Sequence, residues 1–315
     1  MRLTNDIGCY VTSSGTNIGE FNGAVRGSSI TTTTAAPFVG PLDELIAQGA
    51  VLRHASSVRR LLSSYTGPAC RITETGFYSE ADFSFLADGT LDINAINNFA
   101  DIALNGENGP FSTTWQTAYD QSGLGRHATQ TIQSSQPLFG TSIEAKGAMQ
   151  ATLGAKSLNV DLSPLLGGND RPFFVLAVVN VGSSSSSAAR FLLGFSTTAS
   201  VYIRQNLTSF QSAWATQLSN GIGPIGKKTL GAWVNSVSST NYINGVYQTE
   251  GDTGNAGLSS LLPVARIGRG QAASTSWFSG SNNTISEFLV FNNDPTLLAG
   301  WPAFVAAQNA HFDIV

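Results

Sequence analysis

The stretch from Arg171 to Thr249 contains neither Asp nor Glu. It opens on Phe173-Phe174-Val175-Leu176-Ala177-Val178-Val179, a run of strand-forming types too short to span a membrane. Further strand-like pieces follow at 190–195, 200–205, 230–237 and 241–248. The last carries Asn244-Gly245 between Tyr242-Ile243 and Val246-Tyr247. Asn-Gly between apolar pairs signals a hairpin, because both residues tolerate positive φ. The stretch predicts the centre of a β-sandwich, and its strands can supply no carboxylate chemistry.

Charged residues make up 11% of the chain, and 33 of its 315 residues are glycine. That is far below the usual charge content. The polar surface must then be built from Ser, Thr, Asn, Gln and Gly, which suits short strands and tight turns. With 42% hydrophobic residues the chain can fill a core. A net charge of −4 gives no basic footprint for nucleic acid. Met1 to Tyr10 lacks a basic region followed by an apolar core, so no secretion signal is read, and no window is long enough for membrane insertion. The expectation is a chain folded in a cytoplasm, with Cys9 and Cys70 both free thiols.

Residues 1–40 are rich in Gly, Ser, Thr and Asn and show no helical period. They read as an N-terminal arm that orders on a partner, or as a floppy leader. Residues 41–315 read as one domain with a helical lead-in over 41–104. Pro41-Leu42-Asp43-Glu44-Leu45-Ile46 looks like a helix start. A second helical piece is expected over Ala55–Ser63, with Val58, Leu61 and Leu62 on one side. Arg53, Arg59, Arg60 and Arg71 are expected to be solvated around it. A short helix is expected over Asn94–Leu104 and a closing helical tail over Pro295–Val315. Ile285-Ser286-Glu287-Phe288-Leu289-Val290-Phe291 reads as a central strand covered on both faces. Trp115 and Trp233 read as core.

Two segments carry a resemblance. They are Ser63-Ser64-Tyr65-Thr66-Gly67-Pro68-Ala69-Cys70-Arg71 and Tyr119-Asp120-Gln121-Ser122-Gly123-Leu124-Gly125-Arg126-His127-Ala128-Thr129-Gln130. They resemble the catalytic domain of fungal-type α-L-arabinofuranosidases and a set of phage and prophage virion proteins. Tyr242-Ile243-Asn244-Gly245, Ile267-Gly268, Phe278-Ser279-Gly280 and the strand through Asn292 fit the same pattern. Leu124 stands where the pattern favours Asn, and Gln116-Thr117-Ala118 is an insertion between Trp115 and Tyr119. The resemblance covers roughly residues 42–315. It implies a mainly β, concanavalin A-like (laminin-G-like) jelly roll, with Tyr119, Asp120, Gly123, Gly125 and Glu287 as structural motif residues.

Glycoside hydrolysis needs two carboxylates flanking the scissile bond. In the arabinofuranosidases the nucleophilic Glu lies on a middle strand; the matching Ser200-Val201-Tyr202-Ile203 has no acid. The family's acid/base Asp follows a late Gly-rich turn; here Ile267-Gly268-Arg269-Gly270-Gln271 has none. The remaining candidates are Asp120, Glu144, Glu250, Asp252 and Glu287. Asp120 is expected to hold its own turn through backbone N–H groups, and Glu250 and Asp252 to sit solvated in a Gly-rich loop. Glu287 reads as an acceptor for a neighbouring loop, or as a buried acid with a raised pKa. His54, His127 and His311 form no metal motif. A Ser-His-Asp triad stays open, without a Gly-x-Ser-x-Gly elbow. Neither a cofactor nor a metal is expected, and calcium at a jelly-roll rim stays open.

Three readings follow. The first is a non-catalytic bacteriophage virion protein, a capsid decoration or tail appendage. It would be assembled in the host cytoplasm, contact other virion proteins through the arm, and form a homo-oligomer, a trimer by analogy with such appendages. The second is a receptor-recognition protein binding host-surface glycan through Trp214 and Trp277, both in polar, loop-like contexts. The third is an arabinofuranosidase-like hydrolase. Fold alone does not choose among them.

Overall fold

The computed structural model describes residues 37–76, 78–103, 113–140, 146–150, 156–162, 172–181, 190–194, 202–205, 210–213, 217–220, 226–235, 238–251, 264–268 and 283–315. Phe38–Val315 belongs to one compact unit. Residues 1–36 of the expected arm, Cys9 among them, fall outside the described residues, whereas Phe38–Gly40, expected in the arm, belong to the domain. Three helices are described, α1 (Asp43–Ala47), α2 (Ile93–Ala103) and α3 (Trp301–Phe312).

Strands in the first half are β1 (Leu52–Ser57), β2 (Cys70–Glu74), β3 (Glu80–Phe83), β4 (Thr113–Ala118), β5 (Ala128–Thr129), β6 (Leu138–Phe139), β7 (Met149–Gln150) and β8 (Leu158–Asp161). The second half adds β9 (Phe173–Val181), β10 (Arg190–Gly194), β11 (Tyr202–Gln205), β12 (Phe210–Ala213) and β13 (Gln217–Asn220). It closes with β14 (Gly226–Val234), β15 (Ser239–Ile243), β16 (Val246–Gly251), β17 (Val264–Ile267) and β18 (Thr284–Phe291).

The pairings between these strands are antiparallel, and the strands form two layers. Sheet one runs β1-β18-β9-β14-β15-β16. Sheet two runs β3-β2-β4-β5-β8-β17-β10-β11-β12-β13. The short β6 and β7 link β4 to the start of β18, joining the layers at a corner. The result is a jelly-roll β-sandwich.

β9 shows why the apolar run is continuous. Phe173, Val175, Ala177, Val179 and Val181 point into the core between the sheets. Phe174 and Leu176 point the other way, into a second core with Leu289, Phe291, Leu42, Leu45, Trp301 and Phe304. Side chains alternate along a strand, and both faces of this one are buried. β18 follows the same rule, buried at every position, with a register shift between Ile285 and Glu287. The helices α1 and α3 thus cover the outer face of sheet one.

Asn244 and Gly245 join β15 to β16 with φ of 52° and 76°. A Cβ on Gly245 would come within 2.6 Å of Val305 on α3. Glycine there answers both the turn and the close approach of a helix. Trp115 is buried and donates its Nε1–H to the Ala148 carbonyl at 3.2 Å. Trp233 is half-buried against the second core.

The expected helix over Ala55–Ser63 is absent. Leu52–Ser57 is instead the edge strand β1, paired with Glu287–Phe291. Val58, Leu61 and Leu62 mimic helical spacing, but Val58 faces the inter-sheet core while Leu61 and Leu62 join the outer one. The arginines are not a solvated helix face either. Arg59 is buried in an ion pair with Glu287, Arg60 lies 3.7 Å above the Phe38 ring, and Arg71 pairs with Asp82. Glu250, expected in a loop, is exposed on β16.

Candidate functional site on the second sheet

The Tyr119–Gln130 segment packs β1 against sheet two. Asp120 is buried. Its Oδ1 accepts from the Ala55 and Ser122 N–H groups at 2.9 and 3.0 Å. Its Oδ2 accepts from the Arg126 N–H at 3.0 Å and the Ser122 hydroxyl at 2.7 Å. Gln121 ties in the chain after β1, accepting from Leu61 N–H and donating to the Arg59 carbonyl. Gly123 and Gly125 have φ of 81° and 69° with open space around them. The backbone conformation, not crowding, calls for glycine there.

A Ser-His-Asp constellation lies beneath this segment. His54 donates Nδ1–H to the Arg126 carbonyl at 2.9 Å and accepts from the Ser56 hydroxyl at 3.1 Å. That tautomer follows because a carbonyl only accepts. Asp120 Oδ1 is 3.8 Å from Nδ1. Burial pushes the His54 pKa down to about 4, against the pull of Asp120. The pairing resembles an activated nucleophile, but Ser56 borders a cavity of only about 30 Å³, walled by Trp115, Met149, Ile285 and Phe288. That holds one water, not an acyl group, so the constellation ties β1 to the Tyr119–Gln130 segment.

The solvent side of sheet two is different. Cys70 and Ile72 of β2 point into the core, which turns Arg71 outward. Phe83 of β3 points inward and Asp82 outward. Arg71 Nε and Nη2 donate to Asp82 Oδ1 and Oδ2, both at 2.8 Å, and the Tyr119 hydroxyl donates to Oδ1 at 2.7 Å. These bonds hold the Asp82 carboxyl below the usual range. Partial burial, then Asp82, pushes the Tyr119 phenol up to about 12. His127 meets the Tyr119 ring edge-on at 4.9 Å. Its Nδ1 accepts from Asp120 N–H at 3.0 Å, so in the neutral ring the proton sits on Nε2. Gln116 donates to Glu80 nearby. Core-facing Leu158, Val160, Ala265 and Ile267 place Asn159, Asp161 and Arg266 on the same outer side, continuing a polar face across β8 and β17.

The buried carboxylates among the described residues are Glu74, Asp120 and Glu287. Glu74 accepts from Gly76 N–H in the β2–β3 turn. Glu287 accepts from Ser57, from Arg59 Nε and Nη2, and from Gln308 of α3. It therefore clamps both α3 and the loop segment after β1 that carries Arg59 to sheet one. Trp214, Trp277, Glu144, Asp252 and Arg269–Gln271 lie outside the described residues. Tyr202 and Ile203 lie on β11, and Gly268, with φ of 85°, follows β17. Cys70 is a buried free thiol whose pKa burial pushes up. Among the described residues no group of three His, Cys, Asp or Glu could hold a metal, and no helix is long and apolar enough to cross a membrane. No motif assigns Asp82, Glu80 or His127 a role. The sequence signal for the first is alternation with core residues, Asp82 standing between Ala81 and Phe83.

No protein-family model matches the chain, and no curated protein matches it significantly. Solved structures do. A GH54 α-L-arabinofuranosidase soaked with a cyclic sulfate inhibitor superposes with a TM-score of 0.63 at 16% identity, over 86% of this chain and 66% of that one. An arabinofuranosidase complexed with arabinofuranosyl-α-1,2-xylobiose gives 0.59 at 16% identity, over 86% and 65%. The chain thus spans just under two thirds of the length of these neighbours. At that identity the likeness establishes architecture alone: the chain shares the β-sandwich of these arabinofuranosidases.

Proposed function

We propose that the protein is a non-catalytic, lectin-like β-sandwich that binds glycan on the outer face of sheet two and serves as a surface appendage of a bacteriophage particle. The observation that carries the binding reading is the state of Asp82. It is the acid at the centre of the exposed cluster, and it accepts three hydrogen bonds from Arg71 and Tyr119. A carboxylate so satisfied, with a lowered pKa, is a poor general acid and a poor nucleophile. The same rigid Arg–carboxylate plane, beside the Tyr119 and His127 rings, suits sugar hydroxyls and a sugar face.

The enzyme-like shell and the acid-poor sequence support the same reading. The neighbours in fold are glycosidases, yet the positions that resemble their acids carry none in this sequence. The virion setting rests on the sequence resemblance to phage and prophage proteins. A glycan array tests the binding part. Hits should weaken at least about tenfold in Arg71→Ala, the scale of a lost charge-assisted hydrogen bond. No hits, with Trp214→Ala and Trp277→Ala leaving host adsorption unchanged, would remove the reading. Deleting residues 2–36 tests the attachment part: truncated protein that still incorporates into particles shows that the arm is not the anchor.

A further inference from the structure

A cleft of about 410 Å³ opens on the helical side of the domain. Its walls are Phe38 to Pro41, the Arg59-Arg60 pair, the Asp88-Gly89 turn and the face of α3 that carries Ala303, Phe304, Ala307 and His311. That volume falls within the range of small-molecule sites. Its chemistry is mixed. Arg59 is already matched by Glu287 at 2.9 Å. Arg60 enters none of the ion pairs among the described residues, and its buried Nε has no hydrogen-bond partner there. The buried Nε2 of His311 also lacks one. Burial pushes His311 down to about 4, so it is neutral near pH 7.

Two acids complete the lining. Glu44 accepts from Gln48 through Oε1, and Asp88 accepts from Thr90 N–H and its hydroxyl through Oδ1, which leaves the second oxygen of each for other donors. Phe38 is fixed in place: Arg60 stacks on its ring, and Gly89 sits so close that a Cβ there would meet the ring at 2.2 Å. Buried polar atoms normally find partners. Here Arg60 can donate, His311 can donate or accept, and both carboxylates can accept, around an apolar patch.

We infer that this cleft is a second binding site, for a neutral saccharide ring, on the side of the sandwich opposite the sheet-two face. The proposal deepens the glycan-binding reading and rests on it for the ligand class. An acidic sugar is disfavoured, because one unmatched arginine faces two carboxylates. A hydroxylated neutral ring satisfies the donor and both acceptors without adding charge.

The test is saturation-transfer NMR on the full chain carrying Arg71→Ala, which weakens the sheet-two face, with L-arabinose, D-galactose, D-glucose, N-acetyl-D-glucosamine, D-glucuronate and glycine as separate probes. At least one neutral sugar should bind saturably, and D-glucuronate should bind more weakly than D-glucose. Ala303→Trp, a filling change at an exposed position, should abolish that signal, and Ala307→Trp should do the same by a second route. Adding Arg60→Ala should weaken it about tenfold. Binding that survives both filling variants overturns the proposal, as does binding of only glucuronate or glycine, or of no neutral sugar. Neutral-sugar binding lost in Arg71→Ala but kept in Ala303→Trp would uphold the sheet-two site and end this one.

Discussion

Two arginine–carboxylate pairs lie on opposite sides of the sandwich. Arg59–Glu287 joins the end of β1, β18 and α3 with side chains 6% and 0% exposed. Arg71–Asp82 spans β2 and β3 with side chains 39% and 40% exposed. The chemistry is the same and the use differs. In the first, every donor around Glu287 comes from the fold, and α3 closes the site. In the second, the pair stands at the surface beside Tyr119 and His127, on the side of β2 and β3 away from α2, whose Phe99 packs on Phe83 at the core side. Burial makes an ion pair a clamp, and exposure leaves it open to solvent and, in the proposed function, to a ligand.

The comparison breaks most easily at the clamp. Arg59→Ala leaves a buried carboxylate without its cation and should cost about 3–5 kcal/mol, read from urea unfolding. A loss under about 1 kcal/mol would mean that water reaches Glu287. The next effect is acid lability from His54, buried beside the motif segment. Its folded pKa of about 4 lies below the unfolded value of 6.5, so the unfolded chain takes up the proton first. Its contribution is present above pH 6.5, falls as pH drops through the window, and is gone below about 4. The loss should be about 3 kcal/mol, and His54→Gln should flatten the pH dependence of the unfolding midpoint.

At the hairpin, Gly245→Ala should cost about 1–2 kcal/mol, since φ is 76° and α3 is in the way. The exposed pair should show the smallest effect on stability: Arg71→Ala should change it by less than about 1 kcal/mol while weakening glycan binding at the sheet-two face at least about tenfold. Equal losses at Arg59 and Arg71 would erase the distinction between the two sides.

Much of this architecture is legible in the sequence where one strand declares its own surroundings. Phe173–Val179 is apolar at every position because both faces are buried, and Ile285–Phe291 behaves likewise. Asn244-Gly245 declares its turn through local backbone preference. β1 does not declare itself. Its pattern fits a helix as well as a strand, and its pairing with β18 brings together residues such as Ser57 and Glu287, 230 positions apart. Tertiary pairing overrides local propensity there. The partner of Arg59, 228 residues away, is hidden for the same reason. The exposed cluster is harder still. Arg71, Tyr119 and His127 lie in the two recognisable segments and Asp82 does not, and the four meet only through strand register and the closing of the Asp120 turn.

The central claim is that the outer face of sheet two holds sugar without cutting it. The most direct test is an NMR titration of the full chain with an arabino-oligosaccharide, following protein amides and anomeric protons together. The account predicts saturable shifts at Tyr119, His127 and Asp82 with no new free-sugar anomeric signal. A growing free-sugar signal that disappears on changing a single Asp or Glu would contradict it.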